Sequence, residues 1–141
     1  MENRVITAVD APPEEIWPLF IDLERWPEMS ESITSVRRLD SGPLQVGSEA
    51  EVKQPRLPLA RWRVTELDPG RSFTWETTVG KVTSVGGHQV AATSQGSEIT
   101  LTLSMHGPLA GLTSVLMSRV SHRNLVKEAD GFRRAAESAR A

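Results

Sequence analysis

Three histidines and one glutamate are the side chains of this sequence best suited to move protons. His88, His106 and His122 are candidates because an unperturbed imidazole titrates near neutral pH. Glu66 shares the strand-like alternation of Trp62. Buried without a partner, its carboxyl would have a raised pKa and would suit a general base. Its place at the end of a predicted strand equally suits a solvated carboxylate.

The positions of the three histidines in the predicted elements separate them. His106 follows the polar face of a strand, which predicts an exposed side chain. His88 has the parity of Val90, and it points inward if the Gly86-Gly87 pair leaves that parity unchanged. His122 lies on the apolar stripe of a predicted helix, either as an interior histidine with satisfied hydrogen bonds or as a ligand contact.

Motifs for metal, nucleotide and hydrolase chemistry are missing from the sequence. The chain has no cysteine, and no two histidines have the spacing of ligands to one metal ion. The glycines between Gly107 and Gly111 lack the lysine of a phosphate-binding loop, and no Gly-x-Ser-x-Gly elbow occurs. The sequence therefore predicts no metal and no cofactor.

Length and charge narrow the class of protein. A chain of 141 residues suits one domain spanning 1–141 with a sizeable core. Its net charge of -2 argues against a nucleic-acid partner, which usually calls for a basic excess. No apolar run approaches the roughly 20 residues of a membrane span, and the N-terminus does not resemble a signal peptide. A cytoplasmic protein is the simplest expectation.

The last third of the chain, residues 107–139, predicts one long helix, which carries His122. Apolar residues recur there at three- and four-residue steps. The first stripe comprises Val115, Ser118, His122, Leu125, Val126, Ala129, Phe132 and Ala136. A second stripe comprises Leu109, Leu112, Leu116 and Val120. Two stripes exceed what one core needs, so the second predicts the cover of a cavity mouth or of a partner, including a homodimer. Arg119, one turn beyond Leu116, could meet an anionic group at that mouth.

The preceding residues predict strands around a helical corner at 11–30. The strands are expected at 4–10, 33–39, 49–53, 61–67, 73–79, 81–92 and 99–106. Short turns between consecutive strands favour antiparallel pairing, so the chain is expected to be α+β, with the helix filling a curved sheet. Gly86-Gly87 predicts a bulge or a tight bend, and Pro18 predicts a kink or a break in the first helix.

Four segments carry a resemblance to a known family: 11–17, Asp22 with Trp26-Pro27, 62–71 and 107–109. In their order and residue types they resemble the START-related, polyketide cyclase/dehydrase-like superfamily, also called SRPBCC. The resemblance covers essentially the whole chain. It implies a helix-grip fold, in which seven antiparallel strands wrap around a C-terminal helix and enclose a hydrophobic cavity. The motifs are structural, so the resemblance does not choose an activity.

The expected ligand is a small hydrophobic molecule of lipid, polyketide or aromatic type. The residues expected to contact it are Trp62, Trp75, His88, Leu103, Met105, Leu116, Arg119 and His122. Two alternatives stay open. One is a polyketide cyclase or dehydratase that transfers protons through His88, His122 or Glu66. The other is a non-enzymatic domain that binds a partner through the Leu109–Val120 surface.

Overall fold

A computed structural model describes residues 2–107 and 110–140, and for residues 110–118 it describes the backbone alone. Within these residues, seven strands precede a long C-terminal helix. The strands are β1 Glu2–Val9, β2 Ser35–Arg38, β3 Glu49–Lys53, β4 Ala60–Asp68, β5 Ser72–Val79, β6 Val82–Thr93 and β7 Gly96–His106. The helices are α1 Pro13–Ile21, α2 Trp26–Met29 and α3 Ala110–Ser138, with a 3₁₀ turn at Leu23–Arg25.

All seven strands form one antiparallel sheet in the order β1-β7-β6-β5-β4-β3-β2. Strands β2 to β7 are neighbours in sequence and in space, as short turns require. The turn between β4 and β5 is closed by Gly70, whose φ of 81 lies in the left-handed region that glycine adopts without strain. The predicted α+β fold, a seven-stranded curved sheet with a C-terminal helix, is confirmed.

The inward face of the sheet follows the predicted alternation. Ile99 and Leu101 of β7 are fully buried, and Leu103 and Met105 further along the strand are half-buried. Helix α3 lies over this face and buries its second half. Its buried apolar side chains, among the described residues, are Leu125, Ala129, Phe132 and Ala136. Within the described residues, no helix is both long and apolar enough to cross a membrane.

Helix α1 continues through Pro18, so the predicted break at that residue does not occur. Pro18 lacks the N–H that would bond to the carbonyl of Glu14, but both residues are exposed. Solvent can therefore satisfy the carbonyl that loses its partner. The helix ends at Ile21, and the next residue, Asp22, caps it with a backbone N–H that donates to the Pro18 carbonyl at 3.2 Å.

Helix α3 passes against the end of α2 at Gly131. A Cβ at this position would overlap the carbonyl oxygen of Met29 and lie 3.0 Å from its carbonyl carbon. A glycine in a helix interior costs about 1 kcal/mol relative to alanine. The close approach of the two backbones explains why the helix carries one here.

We predict that Gly131→Ala destabilises the protein by about 1–3 kcal/mol, the range of overpacked positions. The added methyl must displace the backbone of α2, which outweighs the gain in helix propensity. Urea denaturation measures the change. Ser138→Ala, in an exposed position of the same helix, is the control and should stay within about 0.5 kcal/mol. A Gly131→Ala protein stabilised by about 1 kcal/mol would show that α2 and α3 do not touch there.

Candidate functional site

Two tryptophan rings lie side by side on the inward face of the sheet. Trp62 of β4 and Trp75 of β5 have ring centroids 5.2 Å apart and planes inclined by 32°. Such an aromatic pair contributes about 0.5–1.5 kcal/mol beyond the area it buries. The next strand carries Gly86, where a Cβ would lie 3.2 Å from the Trp75 Nε1 and 3.5 Å from the Trp62 Cζ3. The missing side chain therefore leaves the space that both rings occupy.

The bulge predicted as one possibility at Gly86-Gly87 does not occur. Strand β6 keeps its register with both β5 and β7 through the pair. Both glycines lie in close contacts: a Cβ on Gly86 would crowd Trp75, and one on Gly87 would overlap the Thr102 hydroxyl oxygen. Glycine in a strand marks either a bulge or a close approach, and here it marks the second. The parity of β6 is unchanged, so His88 points inward.

Strand register arranges the inward residues in three rows across β5, β6 and β7. The first row is Thr77, Ser84 and Met105; the second is Trp75, Gly86 and Leu103; the third is Phe73, His88 and Leu101. The first row is a polar step next to the aromatic floor. The third is buried throughout and continues into the core.

A cavity of about 380 Å³ lies between these rows and helix α3. This volume falls within the roughly 300–1,000 Å³ of small-molecule sites. Its apolar wall includes Trp26, Ile33, Val52, Trp62, Trp75, Leu103, Met105 and Leu125. Its polar wall residues include Gln54, Thr77, Ser84, His88, Ser121, Asn124 and Glu128. The mouth lies where exposed wall residues meet: Pro58, Val79 at 43% exposure and Val120 at 38%.

Five of the eight predicted ligand contacts line this one cavity. They are Trp62, Trp75, His88, Leu103 and Met105. Their contact with a ligand stays a prediction. The side chain of Leu116 lies outside the described residues. Arg119 is exposed and does not line the cavity, so the structure gives it no place at the wall.

His122 was predicted on the buried stripe of α3, and this was wrong because the side chain is exposed. Val126 of the same predicted stripe is 45% exposed. At about 100° per residue, His122 and Val126 lie roughly 60° and 100° to one side of Leu125. Ser121 and Glu128 lie roughly 40° and 60° to the other side, and that side faces the cavity. The predicted stripe therefore included exposed residues on the His122 side of Leu125, and it left out Ser121 and Glu128 on the side that faces the cavity.

Glu66 is exposed, so of its two predicted environments the solvated one is found. The register of β4 against β5 shifts between Val64 and Glu66. A bulge of this kind inserts one residue and reverses which side chains point inward. The alternation that linked Glu66 to Trp62 therefore stops at Val64. His106, predicted to be exposed, is exposed, and its ring contacts the Ser104 hydroxyl at 3.3 Å.

His88 is enclosed by aromatic rings at the inner end of the cavity. Its imidazole stacks on Phe73, with centroids 4.2 Å apart and planes 8° from parallel. Trp26 lies 5.2 Å away, and the Nδ1 has no hydrogen-bond partner among the described residues. Burial lowers the pKa of His88 to about 3, and an interaction with the Phe73 backbone offsets this only in part. The ring is neutral near pH 7, so it cannot act there as a general acid in its imidazolium form.

Among the cavity residues that were not predicted from the sequence, Glu128 is the one that titrates. It is half-buried, lines the cavity from α3, and makes no hydrogen bond or ion pair with any described residue. Burial raises the pKa of its carboxyl to about 7. Charged residues on helices are usually solvated, which is why sequence reasoning did not single it out. The usable signal was the spacing of Ser121, Leu125, Glu128 and Phe132, which puts all four on one side of the helix.

Metal binding has no counterpart in this arrangement. In the part of the chain that the structure describes, no three His, Asp or Glu residues are placed to hold an ion. The wall instead joins an aromatic floor, a few hydroxyl and amide groups, and one carboxyl that ionises near neutral pH. Such a wall can take up an apolar molecule and orient it by a polar group.

Comparison with known proteins gives a family match along nearly the whole chain. Residues 4–137 match the family model described as "Polyketide cyclase / dehydrase and lipid transport". A search of curated protein sequences found no match.

Solved structures share the fold at low sequence identity. TTHA0849 from Thermus thermophilus has a TM-score of 0.81 and 18% identity, with 100% of both chains covered. The di-domain ARO/CYC StfQ of the steffimycin biosynthetic pathway has a TM-score of 0.77 and 12% identity, over 98% of this chain and 51% of that one. Ara h 8.0201 has a TM-score of 0.76 and 12% identity, over 98% of both chains. These likenesses show the fold alone.

The raised pKa of Glu128 predicts how stability depends on pH. The unfolded carboxyl ionises near 4.5 and the folded one near 7, so the contribution of Glu128 to folding stability falls as pH rises between these values and is level above them. Glu128→Gln removes this loss. At pH 8 the variant should be more stable than wild type by about 2–3 kcal/mol, and at pH 4 the two should differ little.

Urea denaturation of both proteins at each pH tests this. His88 weakens the fold as pH falls below about 6.5, but it does so equally in both proteins and cancels in the difference. Glu66→Gln, at an exposed carboxylate, is the control and should change little at either pH. A difference between wild type and Glu128→Gln that is the same at pH 4 and pH 8 would contradict the burial of this carboxyl.

Proposed function

The chain belongs to the polyketide cyclase/dehydrase and lipid transport family, and from this premise we propose that it binds a small hydrophobic molecule in the cavity between the sheet and α3. The observation that carries the proposal is the floor built at Gly86. A glycine there leaves the sheet open for two tryptophan rings, and the space above them is not filled by the described side chains. Empty apolar volume in a core is costly, so its presence favours an occupant.

The shape of the floor favours a flat ligand. The planes of Trp62 and Trp75 are inclined by only 32°, so together they offer a broad aromatic surface. Offset stacking on such a surface stabilises planar unsaturated rings beyond the area they bury. Molecules of polyketide or aromatic type fit this description, and a lipid chain would gain only the area term.

The mouth supports uptake from solution. Its rim includes Pro58, Val79 and Val120, which are partly exposed apolar residues. A single exposed apolar residue means little, but three at one opening form a surface over which an apolar ligand can enter. The expectation that Leu112, Leu116 and Val120 meet a second copy of the chain stays a prediction, since the side chains of the first two lie outside the described residues.

A second candidate is proton-transfer catalysis of the cyclase or dehydratase type, because one observation favours it. Glu128 offers the cavity a carboxyl with a pKa of about 7, the range in which a general acid or base works best. The other titratable candidates are less suited to this role, which works best with a pKa near the working pH. His88 is neutral near pH 7, and His122 and Glu66 are exposed and outside the cavity wall.

Binding can be measured with N-phenyl-1-naphthylamine, a neutral probe whose emission rises in apolar surroundings. We expect wild type to bind the probe, and the bound probe to quench tryptophan emission. Ser84→Trp should weaken binding at least tenfold, because the new side chain fills the cavity next to the aromatic floor. Gln89→Trp adds the same side chain at an exposed position of the same strand and should bind as wild type does. Circular dichroism checks that both variants fold. Equal affinity in all three proteins would place the probe elsewhere and contradict the proposal.

Catalysis is separated from binding with 2-tetralone, a flat ketone whose acidic α-hydrogens exchange with D₂O. We expect the protein to bind it without accelerating exchange at pD 7, measured by proton NMR. Accelerated exchange that falls about 10²- to 10⁴-fold in Glu128→Gln, with affinity retained, would make the enzyme the better account. Glu66→Gln is the matched control and should exchange as wild type does.

A further inference from the structure

Charge is unevenly distributed over the cavity wall. Among the described wall residues, Glu128 is the only carboxylate and none is a lysine or arginine. His88, the other titratable wall residue, is neutral near pH 7. A ligand bearing a carboxylate or phosphate would therefore lose its hydration without gaining a cation, and burying an unpaired charge is strongly unfavourable.

Nearby cations have other partners or point elsewhere. The Lys127 ammonium lies 3.2 Å from the Glu31 carboxylate, and the Lys53 ammonium donates to the backbone carbonyls of Gln54 and Leu57. Arg119 is exposed and does not line the cavity. The carboxyl of Glu128 is thus not neutralised by any described residue.

Polar groups on the two walls face the same space. On α3, Ser121 and Asn124 precede Glu128 by two turns and one turn on the cavity side. On the sheet, Thr77 lies in the polar row beside Ser84, and its buried hydroxyl has no partner among the described residues. A buried polar atom without a partner is unfavourable. A ligand with a polar group at this level would satisfy atoms on both walls.

We infer that the cavity selects flat apolar ligands that carry a hydrogen-bond donor, a hydroxyl or an amine, and rejects carboxylates, and that Glu128 makes this selection. The inference rests on the proposed binding function and specifies its ligand class. An ionised Glu128 can only accept hydrogen bonds, so a donor on the ligand completes it and an anion is repelled. A hydrogen bond to a charged group is roughly twice as strong as a neutral one, which sets the size of the discrimination.

Three naphthalenes of nearly equal size test the selection by calorimetric titration at pH 8, where Glu128 is mostly ionised. They are 2-naphthol, 2-methylnaphthalene and 2-naphthoate. Wild type should bind 2-naphthol at least tenfold more tightly than 2-methylnaphthalene. It should bind 2-naphthoate at least tenfold more weakly than 2-methylnaphthalene. Glu128→Leu should abolish the advantage of the naphthol, and Glu128→Gln should raise the affinity for naphthoate about tenfold. Each variant is judged by the ratios of its affinities for the three ligands, so that an effect of the substitution on all three cancels.

Glu66→Gln is the control and should reproduce the wild-type order of the three ligands. If 2-methylnaphthalene binds but the order is the same in wild type and Glu128→Leu, the selection by Glu128 is wrong and the binding function stands. If none of the three binds to wild type or to either variant, the proposed binding function is wrong and the inference falls with it.

Discussion

Two tryptophan rings and the bare backbone of one glycine meet in the middle of the sheet, and the cavity depends on that contact. A Cβ on Gly86 would lie 3.2 Å from the Trp75 Nε1, which is too close for the ring to stay where it is. Both rings line the space between the sheet and α3 without filling it. The sheet alone would collapse onto the helix, as close packing demands of a core.

The inner end shows how the same elements close the core. Phe73, Leu101 and Phe132 are buried there, and Phe20 packs on Phe132 with ring centroids 4.9 Å apart. The polar ring in this region, His88, is tolerated because it is neutral and stacked. The sheet and α3 thus divide into a sealed half, which stabilises the fold, and an open half, which is free to take a ligand.

Electrostatics sets the two titratable cavity groups apart. Desolvation acts on both and favours the neutral form of each, so it lowers the pKa of His88 and raises that of Glu128. The histidine therefore stays neutral near pH 7, whereas the glutamate changes its protonation state close to that pH. The proposed selection by ligand charge and donors follows from this lining, which has one carboxyl and no described cation.

Much of the fold and of the sheet side of the site could be predicted from the sequence. Strand residues alternate with a period of two, so one anchored residue such as Leu101 fixes the side on which Leu103 and Met105 lie. The period failed at Glu66, where a bulge that no turn residue announces reverses it. At Gly86-Gly87 the sequence suggested a reversal, but the alternation continues through the pair. A glycine in a strand can mark either a bulge or a close approach, so its presence alone does not predict which one occurs.

The helix side was harder, for a physical reason. Apolar residues at three- and four-residue steps mark a sector more than about 100° wide, and His122 and Glu128 sit at its opposite margins. Sequence favours the histidine as the interior residue, since a free carboxylate in a wall is unfavourable. The contacts that turn the helix, such as Gly131 on the end of α2, join residues far apart in the chain and leave no local pattern.

Ligand binding on the tryptophan floor is tested most directly by ¹H–¹⁵N NMR spectra recorded as N-phenyl-1-naphthylamine is added. The signals to follow are the indole N–H signals of the four tryptophans. Trp62 and Trp75 form the floor, and Trp17 packs on Phe20 away from the cavity wall. Binding at this site predicts large chemical-shift changes for the indole N–H signals of Trp62 and Trp75 and none for that of Trp17. Shifts confined to Trp17, or absent from the floor while the probe is bound, would contradict it.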